Sequence, residues 1–181
     1  MMNSVAEVIE AYEDDSSLDF LFFWGHRFPR DGHITRACLS QWFDCEFEVE
    51  GVLYHTAEQY MMAQKAKLFG DEETFVKIMG ASSPQEYKHF GRLVKNYDEE
   101  TWVANRSAIV TLGNIHKFSQ NEELKRFLLT TGNKVLVEAS PYDRIWGIGM
   151  HSDEVGISDP HNWKGENLLG FALMAVRDAL R

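Results

Sequence analysis

Hydrophobic and polar positions change period along this chain, and the changes mark its elements. Phe20-Leu21-Phe22-Phe23-Trp24 is an unbroken apolar run ended by Gly25, the pattern of a buried strand. Between Cys45 and Tyr54, apolar and acidic residues alternate with a period of two across Glu50-Gly51, which predicts a hairpin with Gly51 at or near its turn. The pattern then turns helical. Thr56 with Gln59 three residues later is a capping box that opens a helix to about Phe69, stopped by Gly70. Further helices are predicted over 71–79, from Ser83-Pro84-Gln85-Glu86 to about Lys95, from Asp98 through Trp102 to Ile115, and from Asn121 to Leu129, closed by Gly132. A short helix is expected over 5–13 and a short strand over Lys134–Glu138. A last helix is expected from Gly165 to Leu180, with Leu169, Leu173, Val176 and Leu180 on one stripe. The sum is a mainly α fold of the α+β kind: one compact helical domain with a small antiparallel sheet or hairpin.

Composition agrees with a packed chain and narrows what it binds. Hydrophobic residues make up 44% of 181 positions and aromatics 13%, as in a folded globule. The net charge of −10 is concentrated at the start. Six acids and no Lys or Arg lie in residues 1–19, leaving 22 acids against 18 bases afterwards. We therefore separate an acidic N-terminal segment, 1–19, from a domain over 20–181. The nearly balanced body excludes broad adhesion to a polyanion but leaves room for a pocket that takes one phosphorylated group. Cys38 and Cys45, with no C-x-x-C pair, predict free thiols and no metal site. With no basic-then-apolar leader and no apolar stretch near the roughly 18 residues of a membrane span, the expectation is a reduced, cytoplasmic protein that does not cross a membrane. No cofactor is expected, because Gly147-Ile148-Gly149 lacks the third glycine and flanking elements of a dinucleotide site and there is no P-loop. Nothing demands an obligate protein partner.

Two places carry candidate chemistry. Ser140 to Gly149 reads S-P-Y-D-R-I-W-G-I-G, echoed at Gly165-Glu166-Asn167-Leu168-Leu169-Gly170. An acid, an indole and two glycines fall within seven positions of a stretch too interrupted for helix or strand, and loops of that kind are usually sites. The alternative is that Asp143 caps a turn and Trp146 plugs a core edge. The second place is the Thr56 helix. Glu58 lies in its opening turn, where the positive helix end favours a carboxylate. Lys65 follows seven residues on, about 20° around the helix and roughly 10 Å along it, so the two point the same way and the lysine stem can lean toward the acid. With Tyr60, Met61, Met62 and Ala63 as neighbours the pair is expected to face a cleft; the alternative is a solvated helix face. Spacing alone assigns Trp102 to the core.

Leu39-Ser40-Gln41-Trp42, Thr56-Ala57-Glu58-Gln59-Tyr60-Met61-Met62-Ala63-Gln64-Lys65, Ser83-Pro84, Gly91-Arg92, Trp102, Lys117-Phe118, Leu128-Leu129-x-Thr131-Gly132, Glu138-x-Ser140-Pro141-x-Asp143-x-x-Trp146-Gly147-x-Gly149 and Gly165-x-Asn167-x-Leu169-Gly170 occur in an order that resembles the NADAR family, the YbiA-like N-glycosidases. The likeness runs from Phe22 to the last helix. It implies a mostly helical fold that hydrolyses the bond between ribose and a nitrogenous base in a phosphorylated, nucleotide-like substrate. That substrate is ADP-ribosylated guanine in nucleic acid or, as the alternative, a ribosylamino-pyrimidine phosphate of riboflavin biosynthesis; a further alternative is a module that binds ADP-ribose or a nucleotide without turnover. Carried over by position, the resemblance makes Glu58 the catalytic acid, Trp102 and Asp143 functional residues, and Lys65, directly after Gln64, a further candidate for covalent or electrostatic work at the sugar. It adds Trp42, Arg92, Trp146, Gly147 and Asn167 as substrate contacts. Glycine placement and helix polarity make backbone N–H groups near Gly147 and at the start of the last helix, together with Arg92, the expected phosphate donors. The acidic first nineteen residues and the long His26–Cys38 loop depart from shorter family members and bear on substrate identity.

Overall fold

A computed structural model describes residues 2–15, 17–27 and 32–181. In chain order its elements are α1 (Val5–Asp14), β1 (Phe20–Phe23), β2 (Phe47–Val49), β3 (Val52–Tyr54), α2 (Ala57–Leu68), α3 (Glu72–Gly80), α4 (Pro84–Arg92), α5 (Glu99–Gln120), α6 (Glu122–Thr130), β4 (Val135–Glu138) and α7 (Leu168–Ala179). Helices dominate, as expected. Of the expected loop from His26, residues 28–31 lie outside the described residues, and Arg36–Leu39 form a short 3-10 turn capped by Thr35. The chain divides into two compact units, Met1–Ser40 with Glu123–Arg181, and Gln41–Glu122.

In the first unit β1 pairs with β4 in parallel, Phe20 opposite Val135 and Phe23 opposite Glu138. The expected antiparallel hairpin lies in the second unit, and this parallel pair stands beside that expectation as an additional sheet. Both strands are apolar runs with little alternation, and a parallel pair covered on its faces needs none. Arg177 of α7 donates to Thr131 Oγ1 at 3.0 Å and to the Lys134 carbonyl at 2.8 Å, fixing the helix beside the start of β4. The acidic N-terminal segment packs into this unit through α1: Val8 is fully buried, and Tyr12 lies against Phe20 and the edge of His161.

His161 also ties α1 electrostatically, with Nδ1 2.7 Å from Asp159 Oδ1 and Nε2 3.3 Å from Glu13 Oε1. Asp159 and then Glu13 raise its pKa, so the tie is fully present below the ordinary histidine range and is lost as pH rises through the folded value. We expect the protection of α1 amides, measured relative to their intrinsic exchange rates, to fall when pH is raised from 6 to 8, and His161→Gln to abolish that fall; an unchanged protection profile in the variant would remove His161 from the tie.

In the second unit β2 and β3 form the predicted hairpin, Phe47 opposite Tyr54 and Val49 opposite Val52. Its turn residues Glu50 (φ 53°) and Gly51 (φ 79°) both adopt the left-handed conformation that a two-residue hairpin requires. Side-chain caps start α2 to α5 in turn: Thr56 accepts from Gln59 N, Asp71 from Thr74 N, Ser83 from Glu86 N and Asp98 from Thr101 N. Asp71 takes a second bond, from Lys95 N at 2.8 Å, and these backbone donors hold its carboxyl down at about 2. Helix α5 runs five residues beyond Ile115, because nothing interrupts it until Asn121, whose amide donates to the carbonyls of Lys117 and Glu46.

Helix α2 is the centre of this unit, packed by α3, α4 and α5. Its residues from Ala57 to Ala63 are buried on every side, as in a core helix. Two glycines admit it. A Cβ on Gly91 would stand 1.9 Å from Met62 Sδ and one on Gly113 2.4 Å from the Tyr60 ring, so α4 and α5 approach α2 where a side chain is missing.

Candidate active site

The second unit holds Trp42, Glu58, Lys65, Arg92 and Trp102. Glu58 stands at the second helical position of α2, only 4% exposed, and its backbone N–H donates to the Gln41 carbonyl at 2.9 Å. A carboxylate there gains from the positive helix end while the surrounding α2 residues strip it of water.

Lys65 does not lean back toward Glu58. Its Nζ donates to the Gly91 carbonyl at 2.9 Å, at the end of α4, and lies 4.3 Å from the centre of the Tyr97 ring and 5.4 Å from that of Trp102. A carbonyl that faces the ammonium and two π faces draw the stem forward more strongly than an acid two turns behind it. Burial pushes the Lys65 ammonium below the usual lysine range, while the Glu99 carboxylate pulls the other way. Tyr97 donates its hydroxyl to Glu99 Oε2, and burial followed by that bond raises its own pKa to about 12. The result is an amine held between a phenol and an indole, part-dry, with a carboxylate one shell out. Trp102, 7% exposed, is both core and wall of this enclosure. Sequence reasoning missed Tyr97 and Glu99. Their only signal was position, immediately before and after the Asp98 cap, and what they face is set by α2.

Trp42 is half-buried with Lys88 Nζ 5.9 Å from its ring centre, and Arg92 is exposed in the last turn of α4. Both present groups suited to a base and a phosphate respectively.

The first unit holds the Ser140–Gly149 loop. Asp143 Oδ1 accepts from Ile145 N at 2.9 Å and Trp146 N at 2.8 Å, so the aspartate closes the turn. Residues 144–148 then run beside 164–169, joined by Glu166 N to Arg144 O, Asn167 N to Gly147 O, Leu168 N to Ile145 O and Leu169 N to Trp146 O. The glycines are here for close approach. A Cβ on Gly147 would meet the Glu138 carbonyl at 2.8 Å, on Gly165 the Gly147 carbonyl at 2.3 Å and on Gly170 the Leu136 carbonyl at 2.0 Å. Asn167 is fully buried in the left-handed conformation, φ 55°; its Oδ1 accepts from Glu138 N and its Nδ2 donates to the Leu136 carbonyl, both at 3.0 Å.

These contacts correct one expectation. The last helix starts at Leu168, not Gly165, because Asn167 leaves helical geometry to clamp β4. The backbone N–H groups of Ile145, Trp146, Ile148, Gly149 and residues 166–169 are engaged within the unit. In this geometry Gly147 allows a close approach of backbones and Asn167 ties α7 to β4. Replacing Asn167 by Ala orphans a buried N–H and a buried carbonyl and puts Ala at a positive φ, which together cost about 3 kcal/mol or more. A melting temperature lower by roughly 6–12 °C is expected, and an unchanged one would remove the clamp.

No cluster of three His, Cys, Asp or Glu side chains able to hold a metal occurs among the described residues, and no described helix is long and apolar enough to cross a membrane. Neither Cys38 nor Cys45 is in a disulfide. A shallow depression of about 240 Å³, lined by Tyr12, Leu18, Asp19, Phe20, Phe22 and Ser158, contains none of the predicted site residues.

Comparison with known proteins adds three findings. The family model for the NADAR domain matches residues 22–181. N-glycosidase R617 of Acanthamoeba polyphaga mimivirus is 45% identical over 165 residues, covering 88% of this chain and 95% of that protein, and N-glycosidase YbiA of Escherichia coli is 32% identical over 133 residues, 74% of each. The solution NMR structure of E. coli YbiA superposes with a TM-score of 0.71 at 28% identity, covering 90% of this chain and 84% of that one.

Proposed function

The chain belongs to the NADAR domain family and is an N-glycosidase, and we propose that the bond it hydrolyses joins ribose to a base in a phosphorylated, nucleotide-like substrate, ADP-ribosylated guanine being the substrate of choice. The observation that carries this reading is a buried carboxylate at the start of α2 with a part-dry lysine in an aromatic enclosure two turns along the same helix.

Breaking a ribosyl C–N bond builds positive charge on the anomeric carbon, and a fixed carboxylate in a low-dielectric place stabilises that charge. We assign this to Glu58. Water adds its oxygen to the anomeric carbon, the C–N electron pair leaves on the base nitrogen, and one proton passes from water to that nitrogen. Lys65 offers two forms of help. As an ammonium it donates a proton or a charge near the leaving group. As a neutral amine, the form its lowered pKa moves toward, it bonds to the anomeric carbon while the C–N pair leaves on the base nitrogen, which takes a proton from the lysine nitrogen. The ring C–O bond then opens to an imine as the ring oxygen takes the second proton, and water adds to that imine to free the sugar and the lysine. Trp102 closes the enclosure against bulk water, Trp42 supplies a face for a base and Arg92 a charge for a phosphate. Asp143, on the other unit, is proposed on the strength of its family motif alone.

Substrate choice is tested by presenting the protein with an oligonucleotide carrying ADP-ribosylated guanine and with a ribosylamino-pyrimidine phosphate. We expect kcat/KM for the first to be at least tenfold the higher; the reverse order would move the assignment to the riboflavin intermediate, and turnover of neither would leave a binding module.

A further inference from the structure

Gln41 carries a buried amide group that the fold orients and then leaves without a partner. It is 7% exposed, and its Oε1 accepts from Asn114 Nδ2 at 2.8 Å. Asn114, fully buried in α5, gives its other amide hydrogen to the Val110 carbonyl at 2.9 Å, so its NH₂ group can turn only one way. That fixes the Gln41 amide as well: Oε1 toward Asn114, Nε2 on the opposite side. Among the described residues, Gln41 Nε2 has no hydrogen-bond partner. A buried N–H₂ left in that state is costly, and native folds keep such groups mainly where something else completes them.

The surroundings indicate what completes it. The Gln41 carbonyl accepts the N–H of Glu58, tying this residue to the start of α2 beside the proposed acid, and the next residue is Trp42 with its half-buried indole. A buried, unpaired donor on the residue that holds the Glu58 N–H and precedes Trp42 suits an acceptor on the edge of a base stacked on that indole. Guanine and a pyrimidinone both present such an acceptor, a ring carbonyl conjugated with the nitrogen that leaves. Hydrogen bonding to that carbonyl draws off the electron density that builds on the base as the C–N bond breaks.

We propose that Gln41 is a specificity-determining residue whose Nε2 donates to a carbonyl oxygen of the substrate base, with Asn114 as the residue that sets its orientation. The proposal rests on the N-glycosidase reading of Glu58 and adds a contact to it. A site that hydrogen-bonds a substrate discriminates more strongly than an apolar one, because the unpaired group penalises an analogue that lacks the partner.

The test compares Gln41→Met, which keeps length and removes the donor, with Gln41→Glu, which puts an acceptor in its place, and with Glu58→Gln, using the ADP-ribosylated guanine oligonucleotide and the ribosylamino-pyrimidine phosphate. On whichever the wild type turns over, kcat/KM should fall about tenfold or more in Gln41→Met and further in Gln41→Glu. The melting temperature of Gln41→Met should change little, since the unmet Nε2 is removed while Asn114 Nδ2 loses the acceptor it had in Oε1. Asn114→Leu should reproduce part of the kinetic loss. Full activity in Gln41→Met alongside an inactive Glu58→Gln overturns the Gln41 contact alone. A wild type inactive on both substrates overturns the glycosidase reading and the Gln41 contact with it.

Discussion

Glu58→Gln is expected to lower kcat on the order of 10³-fold while the protein stays folded. Glutamine has nearly the shape of glutamate and leaves the backbone bond from residue 58 to the Gln41 carbonyl in place. What disappears is the negative charge that faces the forming cation. Glu58 is buried at a helix end, so the melting temperature is measured beside the kinetics to show that the variant is folded. Loss of activity with KM near the wild-type value assigns Glu58 to the transition state and not to binding. Kinetics with less than tenfold loss would take the carboxylate out of the reaction.

Lys65→Met is expected to be comparably severe, and Lys65→Arg tells why. The enclosure of Gly91, Tyr97 and Trp102 holds the lysine head at a single place, and burial lowers its pKa. If the lysine works as a charge, arginine restores part of the rate; if it works as a nucleophile, arginine restores none, and borohydride traps a Lys65 adduct in the wild type. Its lowered pKa also sets a direction for pH. The folded state disfavours the ammonium, so stability rises with pH between the folded and ordinary lysine pKa values, and Lys65→Met should be as stable as the wild type or more so below that window. For the nucleophilic route, activity rises with pH through the lowered lysine pKa, and Lys65→Met loses that limb. A variant with wild-type kinetics would leave the lysine as a packing group.

The sequence made local events readable and long-range ones obscure. Caps at Thr56, Asp71, Ser83 and Asp98 each placed a helix start, because a cap is a contact across three residues. The hairpin was readable at Glu50-Gly51 for the same reason. The parallel pairing of β1 with β4 was not, since its partners lie more than a hundred residues apart and neither strand carries a register signal. The same limit explains Gly147, Gly165 and Gly170: glycines that let one backbone touch another look, in sequence, like glycines that cradle a phosphate. Asn167 reads as a polar residue opening a helix, and its clamp on β4 depends on a strand carbonyl 31 residues away and a strand N–H 29 residues away. Glu58 was placed correctly at the opening turn of α2. The lysine's actual neighbours, Tyr97 and Glu99, come from a different helix and its lead-in, and no spacing rule connects them to residue 65.

The most direct measurement of the central claim is a single-turnover reaction with enzyme in excess over an oligonucleotide carrying one ADP-ribosylated guanine, resolved by mass spectrometry. Hydrolysis of the N-glycosyl bond predicts unmodified oligonucleotide and free ADP-ribose in equal amounts from the wild type, and intact substrate with Glu58→Gln. A wild-type complex that holds the oligonucleotide yet returns it unchanged, or equal release by Glu58→Gln, would contradict it.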